Sequence, residues 1–199
     1  TLESDLARRT GKVEHLCHFS GRVYMQPASQ LQKAHSNPPD WNGGEVIKTE
    51  DIYRLYFHGP SFQILEGVQR SGEHVIGKMR TDLPPMIAQQ RPALLIPILV
   101  ELCFQTAGIW EAGKTGILGL PSSIGNLTLY NFRPRNDAPI YAEVTPHPSA
   151  EGSLSFDARV MDASGNLCLE IKEYCTSPLP YPIEQELLKP FQTWMGGNN

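Results

Sequence analysis

The chain has 199 residues, a formal net charge of −4 and 19% charged side chains. This length can bury the core of one domain or slightly more. The composition argues against several functions. No run of lysines and arginines indicates nucleic acid, no 18 consecutive apolar residues indicate a membrane span, and no cysteine–histidine spacing indicates a zinc site.

The N-terminal residues TLESDLARRTGK are charged and lack the apolar core of a signal peptide. They also lack an initiator methionine, so we expect a processed chain or, preferably, a piece of a longer protein. The four cysteines (Cys17, Cys103, Cys168 and Cys175) are expected to be reduced, as is usual in the cytoplasm. Cys168 and Cys175 point to opposite faces of one predicted strand, so a disulfide between them is not expected.

The first half of the chain predicts strands, a connection and one short helix. Residues 11–26 predict a strand, most β-like over SGRVYM, and the proline- and glycine-rich residues 27–45 predict a long connection. VIKTEDIYRLY predicts a strand that passes into a short helix with Thr49 as its N-cap. After the loop FHGPSF, residues 62–80 predict a β-hairpin with Ser71-Gly72 at its turn.

A loop at Pro84-Pro85 leads to a stretch that is apolar almost all round, PILVELCFQTAGIWEAG. It predicts a buried helix with Pro97 in its first turn and Gly113 just past its end. Glu101 and Gln105 are spaced i,i+4 and share one side of this helix. A buried carboxyl must be paired, protonated or facing a cavity, and removal from water favours the protonated form that a general acid needs. The helix by itself does not distinguish this role from two structural ones. In the first, a neighbouring loop donates hydrogen bonds to the carboxyl of Glu101, and in the second the carboxyl reaches the edge of the helix.

Four predicted strands follow: SSIGNLTLYNF, PIYAEVTPHP, SLSFDARVMD and LCLEIKEYCTS, with a turn over 162–166 between the last two. The proline-rich tail after Pro178 predicts an extended exit. One long buried helix with a hairpin before it and antiparallel strands after it is an α+β layout. A sheet wrapped around a central helix is the hot-dog fold, which we expect here.

Two of these segments resemble a known family. DIYRLYFHGPSFQILEGV is similar to the segment that opens the second half of polyketide synthase dehydratase domains, where a tyrosine-containing helix leads into a (Tyr/His)-Gly-Pro-x-Phe loop. ELCFQTAG resembles that family's Asp-x-x-x-Gln helix motif, with Glu101 where Asp is usual and Gln105 matching the Gln. The segment FHGPSFQ is most similar to the dehydratases of bacterial iterative synthases, such as those that make polyunsaturated fatty acids or enediynes.

The resemblance implies a double hot-dog that removes water from a β-hydroxyacyl thioester. In it, residues 1–44 would be the end of a preceding hot-dog and a linker, residues 45–180 the C-terminal hot-dog, and residues 181–199 an extended exit segment. The implied partners are an acyl carrier protein, whose phosphopantetheine holds the substrate, and the adjacent domains of a cytoplasmic synthase. These include an N-terminal hot-dog that supplies a catalytic histidine, and a homodimer is compatible with this arrangement. No other cofactor, metal or nucleic acid is implied.

The resemblance also implies roles for individual residues. Glu101 would protonate or orient the departing hydroxyl, and Gln105 would help to position it. The substrate-binding residues would be those of the loop and the helix before it: His58, Gly59, Pro60, Phe62 and Tyr53. For His58 three roles stay open: lining the acyl tunnel, shaping the loop, or acting as a substitute base against Glu101.

Two departures from the family pattern matter. The family's His-x-x-x-Gly-x-x-x-x-Pro base motif is absent, since Gly21 follows His18 at the wrong spacing. We therefore expect the base to lie outside this chain. An alternative register of RPALLIPILV would place Ile96 at the acid position, but the register with Glu101 keeps the following Ala-Gly and is preferred.

The rival functions are a related hot-dog thioesterase or hydratase and a catalytically silent structural half.

Overall fold

The structure is a computed structural model that describes residues 1–7, 9, 11–27, 30–41, 43–83, 92–131, 138–148 and 154–196. The chain divides into two compact units, residues 1–31 and residues 32–199. The loop predicted at Pro84-Pro85 lies outside the described residues.

The first unit is a β-hairpin. Strands β1 (Leu2–Ala7) and β2 (Val13–Phe19) pair antiparallel. The strand predicted over residues 11–26 therefore ends at Phe19, and the SGRVYM part has no regular structure over its described length. The prediction was wrong there because strand propensity needs a neighbouring strand to pair with, and the pairing with β1 ends at Phe19.

The second unit holds a long helix against a sheet that has seven strands among the described residues. The strands are β3 (Val46–Lys48), β4 (Leu65–Ser71), β5 (His74–Met79), β6 (Gly119–Leu129), β7 (Ile140–Pro148), β8 (Leu154–Asp162) and β9 (Leu167–Pro178). They lie in the order β3-β4-β5-β7-β8-β9-β6, and every pairing is antiparallel. The helices are α1 (Thr49–Leu55), α2 (Pro92–Thr115) and α3 (Gln185–Gly196), with a 3₁₀ turn at Pro60–Phe62.

The core lies between α2 and the inner face of the sheet. Side chains alternate along the strands, so that Val144, Ala158 and Ile171 are buried while their sequence neighbours are more exposed. Leu102 and Ile109 of α2 are fully buried against them. This arrangement confirms the predicted α+β hot-dog fold.

Helix α2 is longer at both ends than the sequence predicts. It runs from Pro92 to Thr115, so Pro97 and Gly113 lie inside it. The residue that ends it is Gly116, whose φ of +73° is readily adopted only by glycine and whose N–H donates to the carbonyl oxygen of Ala112 at 3.0 Å. Gly113 instead allows close packing, because a Cβ there would stand 2.5 Å from Cγ of Met195.

The extended exit predicted for residues 181–199 was wrong for 185–196, which form α3. Its side chains Leu188, Phe191 and Trp194 are buried against the rest of the core. Arg70 Nη1 donates to the carbonyl oxygen of Met195 at 2.9 Å and thereby caps the C-terminal end of the helix. The prolines that suggested an extended chain mostly precede this helix, and burial of one apolar face stabilises it despite Pro190 in its interior.

Two smaller predictions were off by one residue. Thr49 is the first residue of α1 rather than its N-cap, and its hydroxyl lies 2.6 Å from the carbonyl oxygen of Glu66. The β4–β5 hairpin is confirmed, but its turn consists of Gly72 and Glu73, with Gly72 at a φ of +61°.

The connection before β3 belongs to the second unit from residue 32 onward. Leu167 donates to the carbonyl oxygen of Ala34 at 2.9 Å, and Ser36 donates to that of Gly165 at 2.8 Å. The segment around Ala34 and Ser36 is thus attached to the turn between β8 and β9. The assignment of residues 32–44, with residues 1–31, to a preceding hot-dog and linker remains a prediction.

By length and composition, the stretch Leu95–Thr115 within α2 could cross a membrane. However, 61% of its most hydrophobic window is buried inside the fold, as in the core helix of a globular domain. Its apolar character is therefore accounted for by the packing of the sheet around it.

Candidate active site

Gln105 is the centre of a hydrogen-bond network on α2. Its side chain is buried, and its Nε2 donates both to the carbonyl oxygen of Phe62 and to Oε1 of Glu101, each at 2.8 Å. Its Oε1 accepts a hydrogen bond from the hydroxyl of Tyr53 at 2.8 Å. The amide therefore ties the FHGP loop to the helix and holds the carboxyl of Glu101 in one orientation.

The carboxyl of Glu101 also meets the loop through His58. Nε2 of His58 lies 3.0 Å from Oε1 of Glu101, and the two side chains are only 18% and 21% exposed. The imidazole is held between the rings of Phe57, on which it stacks at 5.0 Å, and Tyr56, which it meets edge-on at 5.1 Å. Glu101 is thus partly buried and has two defined polar neighbours.

Two tyrosines donate hydrogen bonds to Gln105: Tyr53 in α1 and Tyr56 at the C-terminal cap of that helix. The Tyr53 hydroxyl accepts from the backbone N–H of Leu65 at 2.7 Å as it donates to Gln105, and burial raises the pKa of Tyr53 to about 12. The Tyr56 hydroxyl donates to the backbone carbonyl oxygen of Gln105 at 2.6 Å, and burial raises the pKa of Tyr56 well above its ordinary value. Both phenols therefore stay protonated and act as fixed donors.

A pocket of about 80 Å³ opens beside this network. One wall consists of His58, Glu101 and Gln105. A further part of the wall consists of Tyr174 on β9 and the segment 118–121 at the start of β6. The carboxyl of Glu101 thus lies at a cavity that α2, β6 and β9 line together.

Glu111 is a buried carboxylate near the end of α2, and it holds in place the start of β6 that lines the pocket. Its Oε2 accepts from the backbone N–H of Gly119 at 3.0 Å, and its Oε1 accepts from the hydroxyl of Thr176 at 2.7 Å. Burial raises the pKa of Glu111, and the hydrogen bonds from Thr176 and Gly119 oppose that rise. Gly119 has no room for a side chain, since a Cβ would stand 2.4 Å from Cβ of Thr176. The start of β6 is therefore held against both the helix and β9.

The structure brings together three of the predicted site residues, Glu101, Gln105 and His58, at the pocket. The other predicted substrate-binding residues, Gly59, Pro60, Phe62 and Tyr53, do not line it. The loop exposes Gly59, Pro60 and Phe62. Phe62 contacts the site through its backbone, because its carbonyl oxygen accepts a hydrogen bond from Gln105. Tyr53 acts on the site only through Gln105.

Ile96, the acid position in the alternative register, does not line the pocket either. It is 37% exposed on α2, ahead of the turn that carries Glu101. The contacts of Glu101 therefore favour the preferred register.

Sequence reasoning missed Tyr174, Glu111 and the wall at residues 118–121. Glu111 carried a signal that was available, because it is a second carboxylate on the same apolar helix. The positions of Tyr174 and residues 118–121 depend on the pairing of β6 with β9. No local sequence pattern predicts that pairing.

A larger cavity of about 210 Å³ lies on the outer face of the sheet. Its charged side chains pair with one another: Arg159 with Glu143, and Lys172 with Asp157 at 2.9 Å. This is the pattern of a solvated surface network rather than of a ligand site. Within the described part of the chain, no group of three or more His, Cys, Asp or Glu side chains is placed to hold a metal ion.

Several solved structures share the fold of this chain. The dehydratase domain from the CurF module of curacin polyketide synthase matches with a TM-score of 0.65 at 19% identity, over 89% of this chain and 63% of that chain. The dehydratase domain from the CurJ module matches with a TM-score of 0.55 at 21% identity, over 68% and 50%. The bifunctional dehydratase-cyclase domain in ambruticin biosynthesis matches with a TM-score of 0.50 at 18% identity, over 75% and 54%. These likenesses show a hot-dog fold, and the chain spans about half to two thirds of the length of these domains.

The family follows from the sequence match. A family model described as "Polyketide synthase dehydratase N-terminal domain" matches residues 45–186. The chain therefore belongs to the polyketide synthase dehydratase family. That description names the N-terminal domain, whereas the motifs of this chain predict the C-terminal hot-dog, so the choice of half remains a prediction. No curated protein matches the chain.

Proposed function

We propose that this chain is the C-terminal hot-dog of a dehydratase domain in a cytoplasmic polyketide or polyunsaturated fatty acid synthase. Its reaction is the removal of water from a β-hydroxyacyl thioester carried by the phosphopantetheine of an acyl carrier protein, without a further cofactor. One observation carries the proposal: Glu101 lines a pocket, and Gln105 and His58 both contact Oε1 of its carboxyl.

In the proposed reaction Glu101 is the general acid. A base removes the proton from the α-carbon, the C–O bond at the β-carbon breaks, and Glu101 gives its proton to the departing hydroxyl, which leaves as water. Hydroxide is a poor leaving group, so the proton donor must be close to the oxygen and correctly oriented. Gln105 supplies that orientation, because its amide is fixed by Phe62 and Tyr53 and donates to Glu101.

The proposed base is a histidine of an N-terminal hot-dog. The pocket volume of about 80 Å³ is well below the roughly 300–1,000 Å³ of sites that enclose a small-molecule ligand, so this chain alone does not enclose an acyl thioester. Strand β6 is also the edge of the seven-stranded sheet, with apolar side chains such as Ile124 and Leu127 exposed along it. Within the described part of the chain no strand pairs with the outer side of β6, and this apolar edge beside the pocket supports a second hot-dog as the partner that completes the site.

The FHGP loop is proposed to position substrate rather than to supply the base. His58 lines the pocket and contacts Glu101, and Pro60 and Gly59 shape the loop in which it stands. Tyr53 and Phe62 would influence substrate binding through Gln105.

The substitution Glu101→Gln in the intact dehydratase, with both hot-dogs present, tests this proposal. Glutamine keeps the shape but has no acidic proton, so dehydration should fall by about 10²–10⁴-fold. The matched control is Glu184→Gln, a change of the same chemistry at an exposed position, which should leave turnover unchanged. Turnover is followed as enoyl absorbance from a β-hydroxyacyl pantetheine thioester.

Three outcomes would contradict the proposal. Near-normal turnover in Glu101→Gln would remove the acid role from this residue. Release of a free thiol without an enoyl product would indicate a thioesterase. No reaction of any kind from the unmutated double hot-dog would indicate a structural half.

A further inference from the structure

Tyr174 on β9 is an unused hydrogen-bond donor at the pocket. Its side chain is 2% exposed and lines the pocket. No group in the described part of the chain accepts a hydrogen bond from its hydroxyl or donates one to it. The one fully enclosed side-chain nitrogen or oxygen without a partner among the described residues is Nδ1 of His58. The Tyr174 hydroxyl therefore keeps contact with open space, which here is the pocket.

A β-bulge in β9 turns Tyr174 inward. Against β8, Ile171 pairs with Ala158 and Tyr174 pairs with Phe156, so β9 advances by three residues where β8 advances by two. In a regular strand, Ile171 and Tyr174 would face opposite sides of the sheet. The extra residue keeps both on the inner face, where both are buried.

The bulge is held in a strained conformation. Glu173 has a φ of +54°, the one positive φ of a non-glycine residue among those described. A Cβ at Gly125 on the neighbouring strand would stand 2.5 Å from Oε2 of Glu173, so the glycine makes room for this side chain. Backbone strain of this kind is concentrated at functional sites, and here it orients the following tyrosine into the pocket.

The ring of Tyr174 is fixed close to the acid. It stacks on Phe104 with ring centroids 4.5 Å apart and planes inclined by 22°. Phe104 follows Glu101 by three residues on α2, so the two side chains share a face of the helix. Burial raises the pKa of Tyr174, and the carboxylates of Glu111 and Glu101 raise it further, so the hydroxyl remains a protonated donor.

From this geometry we infer that Tyr174 is a further substrate-contacting residue, whose hydroxyl donates a hydrogen bond to the β-oxygen of the acyl chain. The inference rests on the proposed function. The substrate oxygen that meets Glu101 lies in the same pocket as the Tyr174 hydroxyl, and it has lone pairs to accept a second donor. Held between the two, the oxygen is oriented for protonation by Glu101, and the phenol stabilises the negative charge that develops as the C–O bond breaks.

Binding to the full 199-residue chain tests the inference. The probes are 3-hydroxyhexanoyl-pantetheine and hexanoyl-pantetheine, which differ only in the β-hydroxyl, and the affinities are measured by calorimetric titration. The variant is Tyr174→Phe, which removes the hydroxyl but keeps the ring on Phe104. The matched control is Tyr181→Phe, at a tyrosine that is exposed.

The expected result is that the unmutated chain and Tyr181→Phe prefer the hydroxyacyl probe. Tyr174→Phe should lose about 5- to 10-fold of this preference, the effect of one hydrogen bond, while its affinity for hexanoyl-pantetheine stays unchanged. A merely structural role of the tyrosine would lower both affinities together and would overturn the inference. So would an unchanged preference in Tyr174→Phe, which leaves the proposed function standing. An unmutated chain that binds both probes with equal affinity would overturn the proposed function, and the inference with it.

Discussion

Gly108 is the residue that permits the contact between Tyr56 and the backbone of Gln105. A Cβ at position 108 would stand 2.4 Å from the Tyr56 hydroxyl oxygen. Replacing a glycine by alanine inside a helix normally stabilises it by up to about 1 kcal/mol. Here the steric clash reverses the sign, since it forces the Tyr56 hydroxyl away from its acceptor or shifts the helix.

We predict that Gly108→Ala lowers the free energy of unfolding by about 1–3 kcal/mol. In the background of Tyr56→Phe the same change should be neutral or stabilising, because the clashing oxygen is gone and the ring carbon behind it lies at 3.5 Å. Urea unfolding of the two single variants and the double variant gives the coupling energy. Additive effects would show that Gly108 and Tyr56 do not depend on each other.

Single residues of the site were predictable where one local pattern specified them. Glu101 and Gln105 stood out because they are polar residues at i,i+4 on an apolar helix, and His58 because Gly59 and Pro60 mark its loop. Tyr174 was not predictable. Its inward direction depends on the extra residue at Glu173, and nothing in the sequence KEYC marks a bulge.

Helix α3 is an integral part of the core at the scale of elements. Phe191 is fully buried, and its carbonyl oxygen would lie 2.9 Å from a Cβ at Gly113 of α2. The two helices therefore pack with their backbones close together. The sequence identified the long helix and most of the strands from periodicity, but α3 was hidden by the prolines around it and is stabilised by contacts distant in sequence.

We predict that Phe191→Ala lowers the free energy of unfolding by about 3–5 kcal/mol, since it removes a fully buried aromatic side chain. Thr193→Ala, an exposed position on the same helix, should change it by no more than about 0.5 kcal/mol. Chemical denaturation followed by circular dichroism measures both. Equal effects of the two changes would mean that α3 is not packed in solution.

Glu111 links the end of α2 to the β6 wall, and burial makes its contribution to stability depend on pH. The pKa of Glu111 in the folded chain is raised above the ordinary value of 4.5, so the native state binds this proton more tightly than the unfolded state does. The stabilisation associated with the protonated carboxyl is fully present below pH 4.5 and is lost as the pH rises through the raised pKa.

The expected result is that Glu111→Gln, which cannot titrate, gains stability relative to the unmutated chain as the pH rises from 4 towards 8. Melting temperatures across this range provide the measurement, with Glu184→Gln, the same change at an exposed position, as the control for the substitution itself. A difference between Glu111→Gln and the unmutated chain that does not change with pH would contradict the raised pKa.

At the scale of the whole molecule, the proposed site is one half of an acid–base pair. Within the pocket the structure provides a carboxyl with fixed neighbours and a free phenol, while His58 is already engaged with that carboxyl. The pocket is small and lies beside β6, the edge strand of the sheet among the described residues. The fold could be predicted because one chain contains the whole pattern of a hot-dog. The complete site could not, because its proposed second half belongs to another hot-dog.

The last prediction is that the 199-residue chain alone does not catalyse dehydration. Loss of one member of an acid–base pair costs about 10²–10⁴-fold in rate, and the only histidine that lines the pocket among the described residues is His58. Incubation with a β-hydroxyacyl pantetheine thioester, followed by enoyl absorbance, should give no turnover above background. Turnover should return when the N-terminal hot-dog is supplied.

Robust activity from the chain alone would contradict this prediction and would make His58 the base. In that case His58→Ala would abolish the activity of the isolated chain. In the intact domain, by contrast, we expect His58→Ala mainly to raise KM. His58 lines the pocket and contacts Glu101 at 3.0 Å, but in the proposed reaction it does not remove the α-proton. The split between KM and kcat therefore decides which of the two roles His58 has.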